Sequence, residues 1–130
     1  MNSSTHTLLL DAPKDKVFDF LACVDNLPKW ATQFCRALRR DEYGRTKVVT
    51  PQGEIFFKIA ADRATGIVDM FGGPSENEMA YWPARVLARP DNGSVFVFTA
   101  FQYPGVSDAE FAAQCAGLAH EFPRIKALTE

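Results

Sequence analysis

Hydrophobic residues follow a helical spacing near both ends of the chain and a strand-like alternation between them. Near the N terminus, a β-favouring segment over 5–11 precedes Pro13 and an apolar stripe with a helical repeat, which predicts a strand followed by an amphipathic helix. The residues of this stripe are Val17, Phe18, Leu21 and Val24. A new helix is predicted to begin after Asp25, because Pro28 suits the first turn of a helix; this second short helix is expected over about 27–34.

After Cys35 the chain consists of short alternating segments separated by turn residues, which is typical of an antiparallel sheet. The six predicted strands are 37–41, 46–50, 54–62, 66–71, 79–89 and 94–102. Glycine, asparagine and aspartate lie between most of them, where short turns favour these residues. With the N-terminal strand, the sequence predicts about seven strands.

The C-terminal quarter predicts one long helix. Ser107 and Glu110 have the spacing of a capping box, in which each side chain satisfies a free backbone donor at the helix start. The apolar stripe of this helix is Phe111, Cys115, Leu118, Phe122 and Ile125. We expect the helix to reach about Leu128, with a bend at Pro123, which lacks a backbone donor.

Composition limits the classes of function. The 130 residues, 47% hydrophobic and 23% charged, predict a single globular domain over 1–130. Charges of both signs are mixed along the chain and the net charge is −2, so a nucleic-acid partner is not expected. No apolar run approaches a bilayer span, and the N terminus lacks the pattern of a secretory signal. The three cysteines form no CxxC pair, which predicts reduced thiols and a cytoplasmic protein.

Residues for metal, nucleotide or covalent chemistry are not arranged in the usual motifs. Neither a nucleophile elbow nor a phosphate-binding glycine loop nor paired histidines at metal spacing occurs, so we expect no metal and no cofactor. His120 falls opposite the apolar stripe of the last helix and is predicted to face solvent, and His6 has no identifiable partner. Gln114 and Glu121 flank that stripe; they would reach the margin of a cavity, but surface positions are favoured.

The order of these elements, and several short motifs, resemble the START-related helix-grip (SRPBCC) superfamily, which includes polyketide cyclase/dehydrase-like proteins and plant pathogenesis-related allergens. The motifs lie at 12–18, 26–30, 66–69, 84–86, 98–99, 104–108 and 125–128. The resemblance covers the chain from end to end. It implies an α+β fold in which a curved antiparallel sheet wraps around the C-terminal helix, with an apolar cavity between them entered near the short second helix.

A START-like, polyketide cyclase-like domain of this kind is expected to bind a small hydrophobic molecule. The sequence does not distinguish a lipid from a polyketide, a flavonoid or a hormone-like ligand. The predicted lining residues are Trp30, Phe34, Phe57, Trp82, Thr99, Phe101, Phe111, Cys115 and Leu118. Aromatic walls with a few polar groups are typical of such pockets. Aromatic residues also dominate ordinary cores, so filling of the core is the alternative for each of them.

A second hypothesis is a cofactor-independent cyclase, dehydratase or isomerase that uses Asp69 and Arg85. These opposite charges lie inside predicted neighbouring strands, where isolated burial would be costly, so we expect them to pair. At the cavity, Arg85 would anchor a carboxylate or enolate and Asp69 would accept a proton. On the outer face they would be structural, because a shift of one residue in register moves a side chain across the sheet. The turn at 91–93 leaves two registers open: a two-residue loop would place Val86 opposite Thr99, and a three-residue bulged loop would place Arg85 there.

A third hypothesis is an interaction module or homodimer that uses the outer face of the sheet. The segment 95–101 carries apolar residues at both strand parities, whereas a strand with one solvated face normally alternates with polar residues.

Overall fold

The computed structural model describes residues 1–130 and contains the helices and strands in the predicted order. The strands are β1 (Ser3–Leu10), β2 (Ala37–Arg40), β3 (Thr46–Thr50), β4 (Gly53–Asp62), β5 (Ile67–Ser75), β6 (Glu78–Trp82), β7 (Ala84–Ala88) and β8 (Ser94–Phe101). The helices are α1 (Lys14–Ala22), α2 (Leu27–Trp30) and α3 (Asp108–Thr129), with a 3-10 turn over Val24–Asn26 before α2. The α+β fold class implied by the resemblance is confirmed.

Helix ends follow local chemistry. The capping box before α3 is present, since the Ser107 hydroxyl accepts from the Glu110 amide at 3.1 Å and the Glu110 carboxylate accepts from the Ser107 amide at 3.4 Å. The helix continues past Pro123 to Thr129. Helix α2 is shorter than predicted because Ala31 leaves the helical region with a ψ of 53°, and turns occupy the following residues.

The sheet has eight strands, one more than predicted, because the expected strand over 79–89 breaks at Pro83. Proline cannot donate to a strand ladder, so β6 and β7 separate on either side of it. The strand order is β1-β8-β7-β5-β4-β3-β2. Strand β6 is not part of this linear order and pairs with β5, which also pairs with β7. All the strand pairs of the sheet are antiparallel, which accords with the short connections between successive strands from β2 to β8.

The register between β7 and β8 differs from both predicted alternatives. Arg85 lies opposite Val97, two residues away from Thr99, and the loop between the strands spans 89–93. Asn92 in this loop adopts a left-handed φ of 69°, a conformation that asparagine tolerates better than most residues. The loop is therefore longer than a two- or three-residue turn.

The core lies between the inner face of the sheet, which we define as the face toward α3, and the three helices. On β8 the alternate residues Ser94, Phe96, Phe98 and Ala100 are buried on this face. The ring of Phe96 packs against Phe122 of α3 with 5.5 Å between ring centroids, and against Trp30 of α2 with 6.4 Å. Helix α1 covers another part of the face with Val17, Phe18 and Leu21.

Candidate ligand cavity

A cavity of about 570 Å³ lies between α3, the segment around α2 and the inner face of the sheet. Twelve of its 20 lining residues are hydrophobic. Its rim contains exposed residues of three segments: Gln33, in the turn that follows α2; Pro51 and Gln52, in the β3–β4 turn; and Glu110, Ala113 and Gln114, on α3. The opening therefore lies beside α2, where the resemblance implies an entrance.

Aromatic side chains form the deep part of the wall. Trp30 is only 3% exposed. The ring of Phe34 lies 5.8 Å from those of Phe57 and Trp82, measured between centroids, so residues far apart in the chain form one surface. Such tilted and edge-on contacts are favourable arrangements for aromatic pairs.

Gly72 on β5 provides room for this aromatic wall. A Cβ atom at this position would lie 3.2 Å from Trp82 and from Ile55, and 3.3 Å from Phe57. These separations are tighter than ordinary contacts, so a larger residue would displace side chains that line the cavity. The absence of a side chain at Gly72 thus helps to set the shape of the cavity.

Glu121 of α3 is the one buried carboxyl group on the wall and is 4% exposed. Its Oε2 atom accepts hydrogen bonds from the backbone amides of Gln33 at 3.1 Å and Phe34 at 3.2 Å. Burial raises the pKa of this carboxyl from 4.5 to about 7, and the two amide hydrogen bonds partly oppose that rise. A carboxyl with such a pKa exchanges protons near neutrality.

The other carboxylate oxygen, Oε1, makes no hydrogen bond within the chain. Fully buried side-chain oxygens without a partner are absent from the structure, so Oε1 retains some accessible surface, and Glu121 lines the cavity. Glu110 is the other charged lining residue, and it lies at the exposed rim. The charged groups of the wall are therefore both acidic.

Five of the nine predicted lining residues line the cavity: Trp30, Phe34, Phe57, Trp82 and Leu118. Thr99 and Phe101 instead lie on the outer face of β8, because Phe98 and Ala100 take the inward positions of this strand. The Thr99 hydroxyl shares a hydrogen bond of 2.8 Å with that of Thr5.

Phe111 and Cys115 lie on α3 but do not line the cavity. Phe111 is half-buried and packs against the core, so the predicted apolar stripe of α3 serves mainly to join the helix to the sheet. The neighbouring stripe faces the cavity instead, and it consists of Glu110, Ala113, Gln114, Gly117, Leu118 and Glu121. The surface position favoured for Glu121 is thus corrected, since this residue lines the cavity and is buried. Gln114 is exposed, as its position favoured, and lies at the cavity rim.

Asp69 and Arg85 do not meet, and neither lines the cavity. Strand alternation places them on the outer face, while Val68, Met70 and Val86 are buried on the inner face. Asp69 accepts hydrogen bonds of 3.1 Å from the Tyr81 hydroxyl and from the Ala84 amide. Arg85 is exposed and donates to the carbonyl of Thr65 at 2.8 Å.

These contacts give Asp69 a structural role. The Ala84 amide follows the strand break at Pro83, so Asp69 supplies an acceptor where the sheet pattern is interrupted. Burial, together with the hydrogen bond and the charge of Asp69, raises the pKa of Tyr81. The geometry therefore offers no support for a catalytic pair at these positions.

The two histidines also lie outside the cavity wall. His120 is exposed, as its helical position predicts. His6 has partners that the sequence did not reveal: its Nε2 atom lies 2.9 Å from the Ser4 hydroxyl oxygen, and its ring packs edge-on against Phe122.

No group of three or more His, Cys, Asp or Glu side chains is placed to hold a metal ion. None of the helices is both long and apolar enough to cross a membrane.

Several solved structures share this architecture at low sequence identity. One is the two-domain ARO/CYC protein BexL of the BE-7585A biosynthetic pathway, with a TM-score of 0.72 and 18% identity over 98% of this chain and 46% of that one. Ara h 8.0201 has a TM-score of 0.69 and 18% identity over 98% and 97% of the two chains. The Aha1 dimer from Colwellia psychrerythraea has a TM-score of 0.72 and 18% identity over 100% and 97%.

No protein-family model matches the chain, and no curated protein matches it. The structural neighbours confirm the helix-grip fold predicted from the order of the elements. Identities of this size show a shared fold, and one fold supports many unrelated functions. The function must therefore be argued from the cavity itself.

Proposed function

We propose that residues 1–130 form one domain that binds a small hydrophobic molecule in the cavity between the sheet and α3. The observation that carries this proposal is the cavity of about 570 Å³, with an aromatic wall and a single buried carboxyl group. Pockets for small molecules typically have volumes of about 300–1,000 Å³ and combine apolar walls with a few polar groups. The cavity matches that description in size and in chemistry.

Incomplete packing of a core is a poor alternative for this space. Protein interiors are packed as densely as organic crystals, and voids larger than a water molecule are few. A space of about 570 Å³ that opens between α3 and the β3–β4 turn exceeds such voids many times over. A bound molecule would recover the van der Waals contacts that the aromatic wall lacks in the empty protein.

Native mass spectrometry of protein purified from its own host tests this proposal. We expect a retained molecule of low polarity. Gly72→Val, which extends a side chain into the aromatic wall, should reduce the fraction of protein that carries the molecule about tenfold or more. Ala60→Val, at an exposed position of β4, is the matched control and should retain the molecule. An apo mass together with no response to apolar probes such as 1-decanol would refute the proposal.

A cytoplasmic location forms part of this proposal. The three cysteines are unpaired, and Cys35 is buried. Burial raises the pKa of the Cys35 thiol to about 11, so this group stays protonated and unreactive at neutral pH. Reduced thiols of this kind are typical of a reducing compartment.

The second candidate function is a cofactor-independent cyclase, dehydratase or isomerase. The observation in its favour is Glu121, whose carboxyl group reaches the cavity and has a pKa of about 7, which suits a general acid or base. Asp69 and Arg85 would not take part, because they lie on the outer face. Incubation of the retained molecule with wild-type protein and with Glu121→Gln would test this: product formed only by the wild type supports an enzyme.

A homodimer through the outer face is a further proposal about partners. Leu9, Val95 and Leu87 lie side by side on β1, β8 and β7 and form an apolar row on this face. Leu9 is 62% exposed and Leu87 is 36% exposed, and they flank Val95 in this row. Exposed large apolar residues that lie together mark interaction surfaces. Among the structural neighbours, Aha1 from Colwellia psychrerythraea is described as a dimer.

A further inference from the structure

The two oxygens of Glu121 have different environments, and this difference specifies what a ligand must offer. Oε2 is held by the amides of Gln33 and Phe34, which fixes the carboxylate in one orientation. Oε1 is left without a partner at the cavity wall. An ionised carboxylate oxygen in an apolar setting is a strong acceptor, and leaving it unpaired is costly.

The charged and titratable groups around Glu121 leave this acceptor without a protein cation. Cys35, after α2, stays neutral because burial raises its pKa to about 11. Lys29 of α2 is exposed, and Arg124 of α3 uses its Nε atom to bind the carbonyl of Lys29 at 2.7 Å. The remaining titratable group of the cavity, Glu110, is acidic.

An anionic ligand would therefore meet two acidic residues and no lysine or arginine on the cavity wall. Burying a carboxylate beside another carboxylate without a cation is strongly unfavourable. A neutral ligand with a hydroxyl group would instead supply the donor that Oε1 lacks, and its apolar part would lie against the aromatic wall.

We propose that Glu121 Oε1 binds the hydroxyl group of the ligand, so that the cavity selects neutral hydrophobic alcohols or phenols and rejects carboxylates such as fatty acids. This inference rests on the proposed ligand-binding function and names the ligand class for the same site. Because a hydroxyl donates to the ionised carboxylate, binding should become tighter as pH rises through about 7, where Glu121 loses its proton. A ligand carbonyl that accepts from the protonated acid would show the opposite trend.

Tryptophan fluorescence offers a direct readout, because the chain has two tryptophans, Trp30 and Trp82, and both line the cavity. The probes are 1-decanol, decyl methyl ether and decanoate, which share one alkyl chain and do not absorb with tryptophan. At about pH 8, we expect 1-decanol to bind about tenfold more tightly than the ether and decanoate to bind most weakly. At about pH 5.5, the preference for the alcohol should shrink.

The variants separate ligand recognition from folding. In Glu121→Gln, the amide oxygen would face the amides of Gln33 and Phe34, and the NH₂ group would face the cavity, so the preference for the alcohol should be lost. Glu42→Gln removes an exposed carboxylate of the β2–β3 loop and should leave all three affinities unchanged. If Glu121→Gln does not fold, the pH dependence of the wild type remains a complete test.

The outcomes also distinguish this inference from the function on which it rests. Binding of the alcohol and the ether with equal affinity at both pH values would overturn the hydroxyl site while leaving a general hydrophobic cavity. Tighter binding of decanoate than of 1-decanol would overturn it as well. No binding of any probe would overturn the ligand-binding function and the hydroxyl site together.

Discussion

The protonation of Glu121 should make the stability of the empty protein depend on pH in a way that a single substitution removes. Burial raises the pKa of this carboxyl from 4.5 to about 7 in the folded chain. The folded state therefore favours the protonated acid more than the unfolded state does. The contribution of Glu121 to stability is present in full below about pH 4.5 and is lost as pH rises through about 7.

The size of this loss follows from the shift. Each unit of pKa difference between the folded and unfolded states corresponds to about 1.4 kcal/mol. The rise from 4.5 to about 7 thus makes the free energy of unfolding about 3 kcal/mol smaller above pH 7 than below pH 4.5, with other groups held constant. For a domain of this size that is a large fraction of the total stability.

Urea denaturation of wild type and Glu121→Gln, measured at intervals between about pH 4 and about pH 8, isolates this contribution. Glutamine does not titrate, and all other groups are common to the two proteins. We expect the variant to gain about 3 kcal/mol relative to the wild type across this range. Parallel curves for the two proteins would show that the folded-state pKa of Glu121 is not raised, and would refute the reasoning from burial.

Three further substitutions or treatments test other parts of the structure. Leu9→Lys should convert a dimer to a monomer in light scattering, whereas a wild type that is monomeric at high concentration would contradict the outer-face proposal. Asp69→Ala should lower the free energy of unfolding by about 1–3 kcal/mol, because the Ala84 amide and Tyr81 hydroxyl lose their acceptor, and it should leave the 1-decanol affinity unchanged. Iodoacetamide at neutral pH should modify the exposed Cys23 well before the buried Cys35, as peptide mass spectrometry would measure; equal rates would contradict the packing of Cys35.

The order of the elements could be predicted because their patterns are local. Helical spacing located α1 and α3, and the Ser107 and Glu110 pair located the start of α3. The break between β6 and β7 also had a local cause in Pro83, although the predicted strand over 79–89 ran through it. Local chemistry thus determined most of the architecture.

The faces of the strands were harder to predict, because they depend on register. The segment 95–101 carries apolar residues at both parities, so alternation alone does not show which of them point inward. The five-residue loop over 89–93 then set a register that neither simple turn predicts. Thr99 and Phe101 were consequently expected at the cavity, although Phe98 and Ala100 lie there.

Glu121 could not be predicted as buried from its helical position. It directly precedes Phe122 of the apolar stripe, and a glutamate beside such a stripe is normally solvated. The available indication was Gly117, one turn earlier on the same face, since a glycine inside a helix often marks a close approach. In the structure, Gln33 packs beside Gly117, and its amide is one of the two that bind Glu121.

The hydrogen bonds of Glu121 link its carboxylate to the turn after α2, which lies at the entrance of the cavity. Phe34 donates its amide to Glu121 while its ring packs on Phe57 and Trp82, so the orientation of the carboxylate and the position of the aromatic wall are linked through one residue. Loss of the proton from Glu121 strengthens both amide hydrogen bonds, because the acceptor becomes charged. A ligand hydroxyl at Oε1 would favour that same ionised form. Ligand binding and ordering of the turn after α2 should therefore reinforce each other, and Glu121→Gln should weaken both.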